Sequence, residues 1–219
     1  MALAASLALH TVYLVALVKA FSAADMSAVY PVKRGSAPVI AAAAAVLLIG
    51  DPISVSVAAG IVCVSLGIMA IAFWQPPSGK ALGWALLTGS MIASYTVVDA
   101  QGVRAAPTAP SYIVWAFLID GIVIAGLFAW WRGPIFVGEF RKFWKPTFLA
   151  GALSIVGYGA AMWSYRLGDV PRLAALRETS ILFGVLLAYF VLKERVSRQR
   201  AGGALVIAGG AVILILSEG

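Results

Sequence analysis

Residues 30–49 read YPVKRGSAPVIAAAAAVLLI, a run long and apolar enough to cross a membrane, with Lys33 and Arg34 set inside its first turns. A spanning helix needs about 20 predominantly apolar residues. A charge within such a helix costs about 2.5–3.5 kcal/mol on insertion scales, so its presence requires a reason. The same text returns 143 residues further on. Arg34 matches Arg177, Ser36 matches Thr179, Asp51 matches Glu194, Gly60 matches Gly203 and Gly67 matches Gly210, without a gap. Apolar text matches itself easily, so the polar and glycine matches carry the weight.

Outward from this segment, eight apolar runs are predicted to span: Leu3–Ala20, Tyr30–Ile49, Ser54–Trp74, Ala81–Val98, Tyr112–Trp131, Thr147–Tyr165, Leu173–Leu192 and Ala201–Leu216. Turn chemistry separates them, at Gly50-Asp51-Pro52, Gln75-Pro76-Pro77-Ser78-Gly79, Pro107-Thr108-Ala109-Pro110 and Gly168-Asp169-Val170-Pro171. The connection Pro134–Lys145 mixes aromatic and basic residues and reads as a short helix in the interface. The fold class is therefore all-α, a polytopic membrane protein. Continuous apolar runs of helical length exclude a β-barrel. Five spans separate each repeat helix from its mate. Five is odd, so the two copies enter the membrane from opposite sides, as in secondary transporters that alternate access around a site near the midplane.

Composition agrees. The chain has 219 residues, 62% hydrophobic and only 11% charged, where a soluble domain carries about 25%. The net charge of +7 sits between apolar runs, which suits topology signals and anionic lipid better than nucleic acid. Cys63 and His10 are each the single residue of their type, so no disulfide and no metal site is expected. The first run ends near Ser22-Ala23-Ala24 but lacks a preceding basic residue, and reads as a retained helix. No phosphate-cradling loop or nucleophile elbow occurs, and neither an enzyme nor a cofactor is expected.

The candidate cavity residues are polar or aromatic groups within the spans: His10, Tyr13, Tyr30, Arg34, Tyr95, Trp115, Asp120, Tyr158, Trp163, Arg177 and Glu178. Arg34 and Arg177 are equivalent in the repeat and would attract anionic or zwitterionic solutes; snorkelling to headgroups is the competing reading. Adjacent helical residues point about 100° apart, so Arg177 and Glu178 are poorly placed to pair. Asp120 lies at the centre of its run, either as a proton-coupling carboxylate or as a structural partner of a neighbouring helix. His10 could relay protons or be held structurally. Asp99 reads as the interfacial end of its span. Trp74, Trp130, Trp131, Trp144 and Tyr165 read as interface belt.

Tyr30-Pro31-Val32-Lys33-Arg34-Gly35-Ser36-Ala37-Pro38 resembles the opening of a central helix in the EamA-type drug/metabolite transporters. Ala175-Leu176-Arg177-Glu178-Thr179-Ser180-Ile181-Leu182-Phe183 resembles the matching helix of their second half. Leu192-Lys193-Glu194-Arg195, with Gly202-Gly203 and Gly209-Gly210, is similar to the closing pair. The resemblance implies ten helices in two five-helix repeats around a central cavity lined by the Tyr30–Ile49 and Leu173–Leu192 helices. It implies export or uptake of small metabolites, often amino acids or related compounds. On that pattern residues 1–75 hold three helices of the first repeat and 81–219 hold all five of the second. The two opening helices are absent, through truncation, a misplaced start or an eight-helix variant.

The expected setting is a bacterial inner membrane, with a small solute and lipid as partners, a homodimer as the assembly to consider, and no nucleic acid. The competing functions are a transport-incompetent partner subunit and a membrane-embedded lipid enzyme. Alternating loops place Lys19, Lys80, Arg132, Arg141, Lys142, Lys145, Lys193, Arg195, Arg198 and Arg200 on one side, against Arg104, Arg166 and Arg172 on the other. The positive-inside rule puts the first set in the cytoplasm and both termini outside. The resemblance implies instead a cytoplasmic C-terminus.

Overall fold

The computed structural model describes residues 1–72, 78–191, 193 and 197–217. Trp74, the Gln75–Pro77 part of its turn, Glu194 and Arg195 lie outside the described residues. Nine α-helices occur among the described residues: α1 (Ala2–Ala23), α2 (Met26–Ala44), α3 (Val55–Ala72), α4 (Gly79–Ala105), α5 (Ala109–Arg132), α6 (Pro134–Tyr165), α7 (Val170–Arg177), α8 (Ser180–Phe190) and α9 (Arg198–Leu216). A π-helical segment, Ala45–Ile49, extends α2 and ends on Gly50, whose φ of 70° a glycine adopts without strain. Six segments are long and apolar enough to span, and Val55–Ile71 is a shorter apolar helix. The chain is thus a polytopic, all-helical membrane protein. Large apolar side chains such as Phe148, Leu149, Leu153 and Val156 of α6 stay exposed, as lipid contact requires.

Three boundaries differ from expectation. The fourth span continues past Val98 to Ala105. The expected interfacial helix is fused to the sixth span as α6, with a kink at Phe143 (φ −113°, ψ 16°). Pro146, three residues on, lacks an N–H and crowds the preceding turn. The seventh span is broken: α7 ends at Arg177 and α8 starts at Ser180. Across the break the backbone tightens, with Glu178 N–H to Ala175 O at 3.1 Å and Thr179 N–H to Leu176 O at 3.0 Å.

The 143-residue offset of the sequence reappears in the packing of α3 on α9. Gly60 faces Gly210 and Gly67 faces Gly203, so the two helices run antiparallel. A Cβ added at Gly60 would lie 2.7 Å from Leu214 Cγ, and one at Gly203 would lie 2.5 Å from Ile71 Cγ1. A Cβ at Gly67 would meet Ile207 Cγ1 at 2.7 Å, and one at Gly210 would meet Val64 Cγ2 at 2.9 Å. The 143-residue offset carries Gly60 to Gly203 and Ile71 to Leu214, and likewise Gly67 to Gly210 and Val64 to Ile207. Each contact is therefore the two-fold image of another. Close backbone approach at small residues is how membrane helices pack without a hydrophobic drive between them.

α4 lies against both α1 and α2 and carries the largest share of the buried core. At one membrane face its end is tied down by Asp51, which follows the π segment. Arg104 donates from both terminal nitrogens to Asp51, at 2.7 and 2.9 Å, and to the carbonyls of Tyr165 and Gly168. The Val170 N–H donates to the same carboxylate at 2.8 Å. A bidentate Arg–carboxylate pair fixes direction as well as contact, so this knot registers the end of α4 against the start of α7.

Candidate functional site

The break between α7 and α8 leaves Glu178 facing α2. Its side chain is fully buried, and Arg34 Nη1 donates to both carboxylate oxygens at 2.8 and 3.0 Å. Arg177 reaches the same carboxylate only at 3.4 Å. Arg177 and Glu178 do pair, contrary to the expectation from their adjacent positions, but at long range, and the closer partner of Glu178 is Arg34 on α2. Arg34 also donates to the Tyr30 hydroxyl at 3.3 Å and lies 5.6 Å from that ring's centre. Lys33 Nζ stands over the Tyr30 and Phe21 rings, at 5.1 and 5.3 Å. Pro38, one turn beyond Arg34, has no N–H to give the Arg34 carbonyl.

The Arg177 guanidinium sits 5.7 Å from the Tyr158 ring. Tyr158 in turn connects this centre to a second one. Its hydroxyl donates to Asp99 Oδ2 at 2.6 Å, while Ser6 and Tyr112 donate to Oδ1 at 2.6 and 3.0 Å. Asp99 is essentially inaccessible. Its placement at an interfacial end is corrected: α4 continues for another turn and a half, because Arg104 beyond it is consumed by Asp51. Asp99, Ser6 and Tyr112 are the residues the sequence did not single out as site members. A carboxylate within a helix that continues past it was the available signal.

His10 stacks on Tyr95 with centroids 4.1 Å apart and stands edge-on to Tyr158 at 6.1 Å. Tyr13 and Tyr158 each meet Tyr95 edge-on at 5.7 Å. His10 Nδ1 lies 3.4 Å from Asp120 Oδ2, both side chains being slightly under one-fifth exposed. Nine of the eleven candidates, all but Trp115 and Trp163, are therefore in two linked polar centres. Trp115 and Trp163 are 56% and 48% exposed and take no part in these contacts. Tyr165 is corrected too. It is completely buried, not an interface residue, because the end of α6 is drawn inward by the Arg104 bond to its carbonyl. Trp130, Trp131 and Trp144 are exposed. Among the described residues no group of His, Cys, Asp and Glu could hold a metal ion.

The comparisons with known proteins fall in line with this architecture. No curated protein matches the chain in sequence. A solved crystal structure superposes with a TM-score of 0.70 at 16% identity, over 98% of this chain and 76% of that one. At that identity the likeness speaks for the fold. Residues 79–216, α4 through α9, match the EamA-like transporter family. A polytopic helical chain with buried charge between its helices, matched over well over half its length, belongs to the EamA-like transporter family of membrane transporters.

Proposed function

We propose that the protein is a secondary transporter that moves small metabolites, amino-acid-like or related compounds bearing a carboxylate, across a bacterial inner membrane by alternating access. One observation carries this reading: Arg34 and Arg177, equivalent by the repeat, converge on the single buried carboxylate of Glu178. Residues 1–75 and 81–219 would then be the two oppositely inserted copies, exchanging conformations about the α3–α9 seam. Arg34 is committed to Glu178, whereas Arg177 holds it only at 3.4 Å. Arg177 thus holds the carboxylate more loosely than Arg34 does, and its planar guanidinium suits capture of a solute carboxylate. The aromatic groups Tyr13, Tyr95 and Tyr158 would flank the rest of the solute. A broken helix beside the charge is a recurring substrate-site device in transporters.

Counterflow in proteoliposomes with a panel of small carboxylates and amino acids tests the reading. Wild-type protein exchanges at least one solute, and Arg177→Ala abolishes exchange while remaining in the membrane. Undiminished exchange by Arg177→Ala removes that residue from the site. No exchange of any solute by wild-type protein favours the partner-subunit reading.

A further inference from the structure

We infer that the His10–Asp120 pair is a proton site, and that a net-anionic solute bound at Arg177 is carried together with one proton. The inference rests on the transport reading and adds the coupling ion and the charge class of the solute. Its first support is a charge count. Within the two linked centres the charged side chains are Lys33, Arg34 and Arg177 against Glu178, Asp99 and Asp120. With His10 neutral, the three cations and three carboxylates cancel. A monoanion arriving at Arg177 leaves the assembly one negative charge in excess, in a low-dielectric setting where that is costly. One added proton restores neutrality.

The hydrogen bonds say where that proton goes. Asp99 accepts three hydroxyl hydrogens, from Ser6, Tyr112 and Tyr158, which is the bonding of an ionised carboxylate. Three hydroxyls already aim their hydrogens at it, which leaves an added proton with no acceptor among these partners. Ser6 has one hydroxyl hydrogen and spends it on Asp99 at 2.6 Å. The Ser6 Oγ 3.2 Å from His10 Nδ1 therefore acts as an acceptor there, as do the Ser6 carbonyl at 3.0 Å and Asp120 at 3.4 Å. His10 thus carries a hydrogen on Nδ1, and an incoming proton binds Nε2, making an imidazolium beside the Asp120 carboxylate. Release to the other side returns the pair to neutral imidazole and carboxylate.

The groups facing the pair are Ser6 and Tyr13 of α1, Tyr95 and Asp99 of α4, Tyr112 of α5, and Tyr158 of α6, with Arg177 of α7 behind the Tyr158 ring. Tyr158 is the link. It touches His10, Asp99 and Arg177 together, so a solute that moves the Arg177 guanidinium shifts a ring in contact with the proton site. By linkage, an anion that tightens proton binding is itself bound more tightly by the protonated form.

His10 is the chain's single histidine, so 15N-histidine labelling of the full-length protein in lipid nanodiscs gives one imidazole to follow. Replacing Arg177 by Gln removes one positive charge, as a bound anion would offset it. Through the Tyr158 ring the two groups are no more than about 12 Å apart, and at an effective dielectric of about 20 one charge is worth roughly a tenfold change in proton affinity. At a pH where wild-type His10 is partly protonated, the ratio of doubly to singly protonated imidazole rises about tenfold in Arg177→Gln. It stays at the wild-type value in Arg177→Lys, and falls in Asp120→Asn. An unchanged ratio in folded Arg177→Gln overturns the proposal, even if counterflow succeeds. In liposomes, an inward proton gradient drives accumulation of the solutes that exchange in wild type but not in Asp120→Asn. Equal gradient-driven accumulation by Asp120→Asn also overturns it. Because the imidazole measurement needs no transport, failure of this coupling is separable from failure of the transport reading.

Discussion

Gly202 and Gly203 are neighbours on α9, yet alanine should act on them in opposite directions. A Cβ at Gly203 would lie 2.8 Å from the Gly67 carbonyl oxygen, 3.0 Å from Ile71 N and 2.5 Å from Ile71 Cγ1; two of the three obstacles are backbone, so the helices themselves must separate. Overpacking of this kind costs about 1–3 kcal/mol. A Cβ at Gly202 meets nothing within 4 Å, and alanine there gains about 0.5–1 kcal/mol from the lost flexibility of glycine in a helix. The two variants should therefore differ by about 1.5–4 kcal/mol in reversible unfolding in mixed detergent micelles. The two-fold relation sharpens the test, since Gly60→Ala, the image of Gly203→Ala, meets Leu214 where Gly203→Ala meets Ile71. Its cost should fall in the same range, while Gly209→Ala behaves like Gly202→Ala. Equal stability of Gly202→Ala and Gly203→Ala would refute the antiparallel glycine seam, and with it the packing evidence for an inverted repeat.

Glu178→Ala leaves the partly exposed Arg34 and Arg177 without their shared carboxylate and should cost about 2–3 kcal/mol, less than the loss of one partner of a fully buried pair. In a Glu178→Ala/Arg34→Ala double variant the losses should be clearly less than additive, as a denaturation cycle would report. Asp51 lies outside the spans. Burial raises its carboxyl, but the hydrogen bonds from Arg104 and the Val170 N–H, with the charge of Arg104, outweigh burial and hold it below the usual carboxylate range. A folded value below the unfolded one contributes stability that is present above the unfolded value, about 3.9, and is lost as pH falls through the folded value. The melting temperature of wild type should thus drop more steeply than that of Asp51→Asn as pH is lowered from about 5 to 3. In a Cys63→Ala background, a cysteine at Lys142 should react with impermeant maleimide only after the cytoplasmic face is opened, and one at Thr108 should react in intact cells; the reverse pattern would invert the orientation.

Most of the spans were legible because they are apolar runs bounded by Gly, Pro or Asp. The 143-residue offset was legible because its matched glycines and charges stand out from apolar text that matches itself easily. Asp99 was misread for a local reason. Gln101 and Arg104 follow it, and polar residues at that spacing look like the end of a span, whereas Arg104 is paid off by an aspartate 53 residues away in sequence. The break at Glu178–Thr179 has neither Gly nor Pro to announce it. It depends on Glu178 being drawn to Arg34 on another helix, and on Thr179 donating its hydroxyl back to Leu176 O at 2.7 Å. A tertiary ion pair leaves no trace in local periodicity. Tyr112 and Ser6 gain their meaning only through Asp99, so missing one residue concealed three.

The same knot bears on how the chain lies in its membrane. On the face that carries few basic residues, Arg104 is bound to Asp51 and two carbonyls, Arg166 donates to the carbonyls of Val103, Ala106 and Pro107, and Arg172 donates to Ile215 O. Each caps helix ends or turns that would otherwise leave carbonyl groups unsatisfied. On the opposite face Lys19, Lys80, Arg132, Arg141, Lys142 and Lys145 are all exposed, several of them over Trp or Phe rings that sit at headgroup depth. A count of basic residues treats all of these alike, but an arginine folded onto carbonyls is a structural part, while an exposed lysine beside an exposed tryptophan is available to anionic lipid. Discounting the three structural arginines makes the asymmetry steeper than the sequence count, which sharpens the orientation that the maleimide experiment tests.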